Sequence, residues 1–597
     1  MDYGAWQNLA ALFFDQAERL GDQPFLWVKR SGTYQPISWN EVAASVKHLS
    51  LGLRGLGLER GDRVVLVSEN RPEWLIADLA VVAAGGITVP AYTTNTSADH
   101  NHILTDSGAV GAIVSTRALA SRLLPAAIEA PACKWLVAIE DLDRQQATTL
   151  TIHSWAEVLE NGKAAPDDVS QEVAKAKRDD TACFIYTSGT GGVPKGVMLS
   201  HGNILCNCMG AYHLLEEFGL GHEVFLSFLP LSHSYEHTAG QYFPISIGAQ
   251  IYYAEGVEHL LNNLAESRPT IMTAVPRLYE SMHQRISRGV KKQGGFKEKL
   301  FNRALELGRK RYHDPHSLTL VERLIDAVVE RLVREKVRQR FGGRLKGMVS
   351  GGAALNPEIG IYFTALGVPV LQGYGQTEAA PVVSANLPGR AKMHTVGPPL
   401  RGVEVKIAED GEILVRGELV MKGYWKDEEA TARVIRDGWL HTGDIGKIDE
   451  DGYIQITDRK KDIIVLSGGD NVSPARIEGL LTMEEEFGQA MVYGDKRPHL
   501  VALVVPDDDF VTAWARENGK PKQLAELADD ESFRSAVGKA LERVNQKLSN
   551  LEKVRRFVIA PEAFTVDNEM MTPTLKIRRH IIKAAYGEAL ERLYDRG

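Results

Sequence analysis

Residues 182–197 constrain this chain most. The apolar run Ala182-Cys183-Phe184-Ile185-Tyr186 has the length and composition of a buried strand, and Thr187-Ser188-Gly189-Thr190-Gly191-Gly192-Val193-Pro194-Lys195-Gly196-Val197 follows it directly. Glycines let backbone N–H groups approach a ligand closely, hydroxyls add donors and Lys195 adds a point charge, so the segment reads as an anion-gripping loop. The familiar phosphate loop with a Gly-Lys-Ser/Thr core differs from it. Here Pro194 precedes the lysine and Gly196 follows it, which removes the magnesium-binding hydroxyl of that motif. A surface turn of glycine and threonine has the same local composition, so the function rests on what else the chain contains.

A chain of 597 residues is too long for one hydrophobic core and falls in the range of about two to four domains. Hydrophobic residues at 44% and charged residues at 24% describe an ordered, soluble globular protein. The net charge of −8 argues against nucleic acid as the main partner. Cys133, Cys183, Cys206 and Cys208 show no CxxC spacing and are too few to staple so long a chain, which favours a reducing, cytoplasmic setting. The N-terminus lacks the basic region and apolar run of a signal peptide. The longest apolar stretch, residues 74–92, contains Asp78, Gly85, Gly86 and Pro90, and reads as a core helix followed by a strand rather than a membrane span.

Along the chain, helical patterns alternate with short β-rich runs from about residue 38 to 185, and again from about 200 to 380, as in mostly parallel sheets wrapped by helices. Between about 395 and 457 the runs Val403-Glu404-Val405-Lys406-Ile407 and Glu412-Ile413-Leu414-Val415 flank Asp410-Gly411, an antiparallel pattern. The remainder has its own strands, such as Leu500-Val501-Ala502-Leu503-Val504-Val505, and its own helices. The expected architecture is α/β: a large N-terminal domain, 1–458, of two doubly wound sheets plus a small β-barrel-like subdomain, and a mobile small α+β domain, 459–597. Between residues 285 and 346 there are 18 lysines and arginines against 7 acids, a local excess of 11, in a segment that carries Leu324, Val328, Leu332 and Val333 at helix spacing. It reads as a solvated helical hairpin, or as a surface drawn to anionic membrane or to the phosphates of CoA.

The loop at 187–195 resembles the phosphate loop of the adenylate-forming superfamily, which includes acyl-CoA synthetases, firefly luciferase and nonribosomal-peptide adenylation domains. Further motifs similar to that family's follow in family order: Ser350-Gly351-Gly352-Ala353-Ala354-Leu355, then Gln372-Gly373-Tyr374-Gly375-Gln376-Thr377-Glu378, then Gly438-Trp439-Leu440-His441-Thr442-Gly443-Asp444. Asp458-Arg459-Lys460-Lys461-Asp462, Ser467-Gly468-Gly469-Asp470-Asn471-Val472-Ser473-Pro474 and Thr572-Pro573-Thr574-Leu575-Lys576-Ile577-Arg578-Arg579 complete the series. Each motif alone is weak, but six in order cover nearly the whole chain.

The chemistry implied by the resemblance is attack of a carboxylate on the α-phosphate of ATP. Both partners are anions, so the site must supply positive charge and donors where transition-state charge develops. By resemblance, Thr187, Ser188, Gly189, Thr190, Gly191, Gly192 and Lys195 hold the phosphates. Gly191 stands where a second threonine is common, one donor fewer. Glu378, beside Thr377, is similar to the family's Mg2+ ligand, with Thr187 as a further oxygen. Tyr374 is the aromatic that stacks on adenine, within the turn Gly373, Gly375 and Gln376, and Gly351 and Gly352 line the other side of the base. Asp444 matches the ribose ligand, Arg459 assists at ribose and phosphate, and Lys461 aligns with the hinge of the small domain. Lys576 is the cation that bridges carboxylate and α-phosphate when that domain closes; Leu575 replaces the glycine common before it. Ser467, Gly468 and Gly469 resemble the loop on the CoA side.

His233 and Tyr235 align with a segment bordering the acyl pocket. A metal pair of His233 and His237 lacks a third ligand nearby in sequence. The Thr-Pro-Thr-x-Lys ending and the basic insertion look like those of long-chain members. The expected activity is therefore a long-chain acyl-CoA synthetase using ATP, Mg2+ and CoA; a fatty acyl-AMP ligase or a CoA ligase for a medium-chain, branched or aromatic acid is the alternative. Expected partners are the acid, ATP and CoA, with no nucleic acid. A cytoplasmic enzyme, peripheral at the inner face of the membrane through 285–346 and compatible with a homodimer, completes the expectation.

Overall fold

The computed structural model describes residues 1–142, 150–187, 193–572 and 576–595. Two eight-stranded mixed sheets form its large part. One runs, in spatial order, Val382–Ala385, Val370–Gly375, Gly347–Ser350, Ile271–Ala274, Val224–Ser227, Gln250–Tyr253, Pro24–Arg30 and Thr33–Ser38. Its interior pairings are parallel, and an antiparallel strand closes each edge. The other runs Gly423–Tyr424, Lys195–Ser200, Thr181–Thr187, Ile87–Pro90, Arg63–Val67, Gly111–Val114, Trp135–Ala138 and Thr151–Ser154. The helix Pro72–Ala83, apolar on most of its circumference apart from Glu73 and Asp78, is almost wholly buried, as such a helix must be, and the strand Ile87–Pro90 follows it.

The glycine-rich segment turns out to connect a β-hairpin. Strand Thr181–Thr187 pairs antiparallel with Lys195–Ser200, Thr187 opposite Lys195, so a strand rather than a helix follows the loop. The runs at 403–407 and 412–415 form the antiparallel pair Glu404–Ile407 and Glu412–Arg416, part of a five-stranded sheet with Trp439–Ile448, Ile435–Arg436 and Ile454–Arg459. The core of this sheet, Ile413, Val415, Leu440 and Ile454, is continuous with Tyr374 and Val383 of the first large sheet and with Ala379 of the turn between their strands. The Gly-Tyr-Gly-Gln-Thr-Glu motif is thereby clamped between two sheets.

From residue 464 onward a separate core gathers around the strands Phe487–Tyr493, Leu500–Pro506 and Val554–Ile559 and the helices Pro474–Leu481, Asp508–Asn518 and Glu531–Asn545. The last helix, Arg579–Asp595, packs on the other face of that sheet. Contacts to the large part include Arg277 Nη1 donating to the Gly488 carbonyl at 3.0 Å and Arg288 paired with Asp507 at 2.5 Å.

The basic insertion is helical, as Pro276–Gln293, Gly295–His313 and Leu320–Val329. Much of its positive charge is used internally: Lys291 meets Glu485, Lys310 meets Glu322, Arg311 and Arg334 meet Asp326, and Arg338 meets Glu330 and Glu335.

Candidate active site

Three of the motifs begin at the carboxyl ends of strands, where open α/β sheets bind ligands: Thr187 ends Thr181–Thr187, Ser350 ends Gly347–Ser350 and Gly375 ends the neighbouring strand Val370–Gly375. Gly375 is required by space, because a Cβ there would lie 1.8 Å from the Pro381 carbonyl oxygen. The Ser350 hydroxyl is buried without a hydrogen-bond partner among the described residues. Tyr235 lies beneath this turn: its hydroxyl donates to the Val349 carbonyl at 2.8 Å, and a Cβ on Gly351 would come 2.9 Å from its ring.

Two strands of the antiparallel sheet place Asp444 directly opposite Arg459. Arg459 Nε donates to Asp444 Oδ1 at 3.1 Å, and the Tyr374 hydroxyl donates to Asp444 Oδ2 at 2.6 Å. Burial and the adjacent Asp444 charge push the Tyr374 hydroxyl far up, so it stays a donor. Tyr374 thus fixes the carboxylate, a contact its sequence setting did not announce.

A second cluster joins the phosphate loop to Glu378. The short strand Gly423–Tyr424 pairs with Lys195–Ser200, which sets Tyr424 between two motifs far apart in sequence. The Tyr424 hydroxyl donates to Glu378 Oε1 at 2.8 Å, while the Lys195 ammonium lies 5.3 Å from the centre of its ring and pairs with Asp427 at 2.8 Å. Lys195 holds the Asp427 carboxyl below its ordinary range. Thr377 Oγ1 shares a hydrogen bond with Ser234 Oγ at 3.0 Å. Ser188, Gly189, Thr190, Gly191 and Gly192 lie outside the described residues, as do Pro573, Thr574 and Leu575.

Lys576 reaches this site from the C-terminal unit. Met571 bridges Ile577, the Thr572 N–H donates to the Lys576 carbonyl at 2.8 Å and the Lys576 N–H to Thr572 Oγ1 at 3.0 Å, which fixes the Lys576 backbone just before the last helix. Arg579, at the start of that helix, is anchored on the half-buried Glu478 at 2.5 Å. The Lys576 ammonium sits within electrostatic reach of Arg459, Asp444, Glu378 and His233. Burial first, then the Arg459 charge, lower it to about 8, against the opposing pull of Asp444 and Glu378. Burial, reinforced by Lys576, lowers His233 to about 3, so its imidazole is neutral. The Tyr235 N–H donates to His233 Nδ1 at 3.2 Å, which puts the ring proton on Nε2.

His237 faces elsewhere, with Nε2 on Asp78 at 3.0 Å beside the Tyr242 hydroxyl in the core. Among the described residues no group of three histidines, cysteines or carboxylates could cage a metal ion. The carboxylate of Glu378 and the hydroxyls of Thr377 and Thr187 are hard oxygen donors of the kind that hold Mg2+ jointly with phosphates, so the donor set fits that ion. Ser467, Gly468 and Gly469 form an exposed turn after the strand Ile464–Val465, and Lys461 is likewise exposed.

Sheets, strand-end motifs and a lysine delivered by a separate C-terminal unit define an enzyme that handles a nucleotide. The chain belongs to the AMP-binding enzyme family: residues 13–425 match that family, and residues 461–597 match the AMP-binding enzyme C-terminal domain. It is 33% identical to the long-chain-fatty-acid–CoA ligase FadD15 of Mycobacterium bovis over 99% of this chain and 98% of the relative. It is also 33% identical to the peroxisomal long chain acyl-CoA synthetase 7 of Arabidopsis thaliana, over 95% of this chain and 83% of that one. Among solved structures, the adenylation domain of a carboxylate reductase from Mycobacterium chelonae aligns over 98% of this chain and 91% of its own, with a TM-score of 0.77 at 23% identity. An anthranilate CoA ligase bound to anthranoyl-AMP aligns over 99% of both chains with a TM-score of 0.74 at 20% identity, a likeness of fold.

Proposed function

We propose that this enzyme joins a long-chain fatty acid to CoA in two steps: acid and ATP give acyl-adenylate and pyrophosphate, and the CoA thiol then displaces AMP. The observation that carries the proposal is Lys576, half-buried and within electrostatic reach of Glu378, Asp444 and Arg459. In the first step the acid's carboxylate attacks the α-phosphate, a P–O bond forms to the acyl oxygen and pyrophosphate leaves. Lys576, charged, bridges both anions and stabilises the charge gathering on the α-phosphate oxygens. Lys195 and the loop N–H groups take the charge of the leaving pyrophosphate. Asp444, fixed by Tyr374 and Arg459, accepts from the ribose hydroxyls. His233, neutral with its proton on Nε2, donates to an acid or adenylate oxygen. Glu378, with Thr377 and Thr187, would hold Mg2+, which supplies charge neutralisation on the phosphates when bound.

Partial desolvation disfavours the Lys576 cation, and two anionic substrates offset that cost, so substrate binding favours the closed arrangement. The unit from 459 to 597, turning near Lys461, then exchanges Lys576 for the Ser467-Gly468-Gly469 turn on the CoA side. Peripheral membrane attachment and a cytoplasmic setting belong to the same proposal. The four cysteines are free and buried, in keeping with a reducing compartment. A homodimer is checked by sedimentation velocity.

The test is a panel of acids of graded chain length, with AMP and thioester measured with and without CoA. Long-chain acids should give thioester only when CoA is present; adenylate as the sole product in both conditions would instead identify a fatty acyl-AMP ligase. In the same assay Gly469→Trp should leave adenylate formation within a few-fold of the parent and lower thioester formation by about tenfold or more. Gly469 has φ +89° and open space around it, so the indole meets no neighbouring atom and the backbone strain of a side chain in that region falls on an exposed turn. Slow adenylation with normal conversion would place the turn on the wrong half-reaction.

The alkaline limb of the first step should follow Lys576. As pH rises through about 8 the ammonium is lost, and with it kcat/KM for adenylation. Bound anions favour the charged form, so the corresponding limb of kcat should lie at higher pH. A flat kcat/KM profile through that region would show that the charge is not required.

A further inference from the structure

The helix Leu320–Val329 is inside out. Thr319 caps it, with Glu322 closing the capping box, so its start is well defined. Its acids point toward the protein. Glu322 meets Lys310 at 2.5 Å, and Asp326 is buried between Arg334 at 2.7 Å and Arg311 at 3.1 Å. Its apolar residues point outward: Leu320 is 80% exposed, Val321 66%, Leu324 72% and Val328 52%, and Leu332 in the next turn is 44% exposed. A surface helix of a soluble protein ordinarily shows the reverse. From 319 to 332 the most exposed residues are apolar, threonine or arginine, and the acid Glu330, with a side chain 38% exposed, is paired with Arg334 and Arg338. Arg323 and Arg331 make no ion pair among the described residues, and the same holds for Lys336 one turn further. The result is an apolar row about 18 Å long, by the rise of a helix, along which Glu330 is paired with Arg334 and Arg338 and the cations Arg323, Arg331 and Lys336 are left over.

We propose that this helix is a docking face for an anionic lipid bilayer, with Leu320, Val321, Leu324 and Val328 seated at the boundary of headgroups and acyl chains and Arg323 and Arg331 on lipid phosphates. Charge complementarity selects this occupant. A second copy of the chain laid face to face would bring the arginines of both copies to one apolar seam. The inference rests on the proposed activity in one respect: a long-chain acid is itself concentrated in the bilayer, so a synthetase held there meets its substrate. It also moves the contact from the lysine-rich turn at 291–299 to the apolar helix.

The test is co-sedimentation of the full chain with phosphatidylcholine vesicles, and with vesicles containing an equal amount of phosphatidylglycerol. The parent should bind the anionic vesicles. A Leu320→Asp, Leu324→Asp, Val328→Asp variant should partition at least about tenfold less at every salt concentration, equivalent to about 1.4 kcal/mol. An Arg323→Gln, Arg331→Gln variant should mainly lose the preference for phosphatidylglycerol and its salt dependence. Leu324→Trp, which preserves the apolar face, should be quenched by brominated acyl chains. A triple variant that binds like the parent, or a Leu324→Trp emission untouched by brominated lipid, would overturn the proposal. So would a parent dimer, seen by sedimentation velocity, that the triple variant dissolves, since the occupant would then be a second copy. Thioester formation from a water-soluble medium-chain acid, assayed on the same preparations, is scored separately: its absence counts against the ligase activity and leaves the vesicle result standing.

Discussion

Lys576→Ala should lower the rate of acyl-adenylate formation by about a hundredfold or more, about 3 kcal/mol, and leave conversion of supplied acyl-adenylate and CoA to thioester within a few-fold of the parent. The lysine belongs to the C-terminal unit, beside the Met571–Ile577 bridge and the Arg579–Glu478 ion pair. It comes within electrostatic reach of Asp444, on a strand of the five-stranded sheet, and of Glu378, in the turn Thr377–Ala379, without belonging to either element. A charge that acts only in the arrangement used for the first step is dispensable in the second. Loss of folding does not explain such a result, and the sign of the pKa shift says why. The folded protein holds Lys576 at about 8, below the usual lysine value of 10.5, so between those values the unfolded chain binds more protons. Stability from this group is therefore lower at neutral pH and rises as pH passes from about 8 toward 10.5. Removing the side chain relieves a cost at neutral pH, and the melting temperature should hold or rise. Rapid-quench measurement of each half-reaction, beside a thermal melt, separates these effects. Equal loss in both half-reactions would remove Lys576 from its proposed role.

The strands were legible where composition and period agree. The runs at 63–67 and 500–505 are β-branched and aliphatic, bounded by turn residues, and both are central strands of sheets. The motif residues were legible by order along the chain, and Asp444, Arg459, Glu378 and Lys576 do converge. What the sequence left unmarked are the partners that hold them. Tyr424 and Asp427 act through a two-residue strand paired to a segment more than two hundred positions away, and no periodicity encodes such a pairing. Ser234, bonded to Thr377, sits in a segment notable in sequence only for its histidines. The basic insertion illustrates the opposite failure. Counting charges shows an excess of 11, yet many of those cations are matched by acids one helix away or in the C-terminal unit. Helix spacing at Leu324, Val328 and Leu332 correctly marked a helix, but spacing alone does not tell which side faces water. The inward salt bridges of Glu322 and Asp326 decide that, and they are visible only in three dimensions.

Glu378→Gln should be the second large effect, again about a hundredfold or more on adenylation, about 3 kcal/mol. The substitution keeps the size of the side chain and its capacity to accept the 2.8 Å hydrogen bond from the Tyr424 hydroxyl, and it removes only the charge. The backbone is untouched, since the Glu378 carbonyl still accepts from the Met421 N–H at 2.9 Å. A neutral amide oxygen is a far poorer ligand for a hard dication than a carboxylate, so the Mg2+ concentration giving half-maximal adenylation should rise by about tenfold or more. Tyr424→Phe makes the contrast: it leaves the charge and deletes one hydrogen bond, a loss of about 1 kcal/mol or about fivefold, with little change in the Mg2+ requirement. Adenylation followed by pyrophosphate release across a Mg2+ titration, for the parent and both variants, reads the two effects separately. An unchanged Mg2+ requirement in Glu378→Gln would show that the carboxylate positions Tyr424 and the neighbouring Lys195 rather than meeting the metal. The phosphate side of the site would then have to be rebuilt around Lys195 and Asp427, which face each other at 2.8 Å across the edge of the same tyrosine.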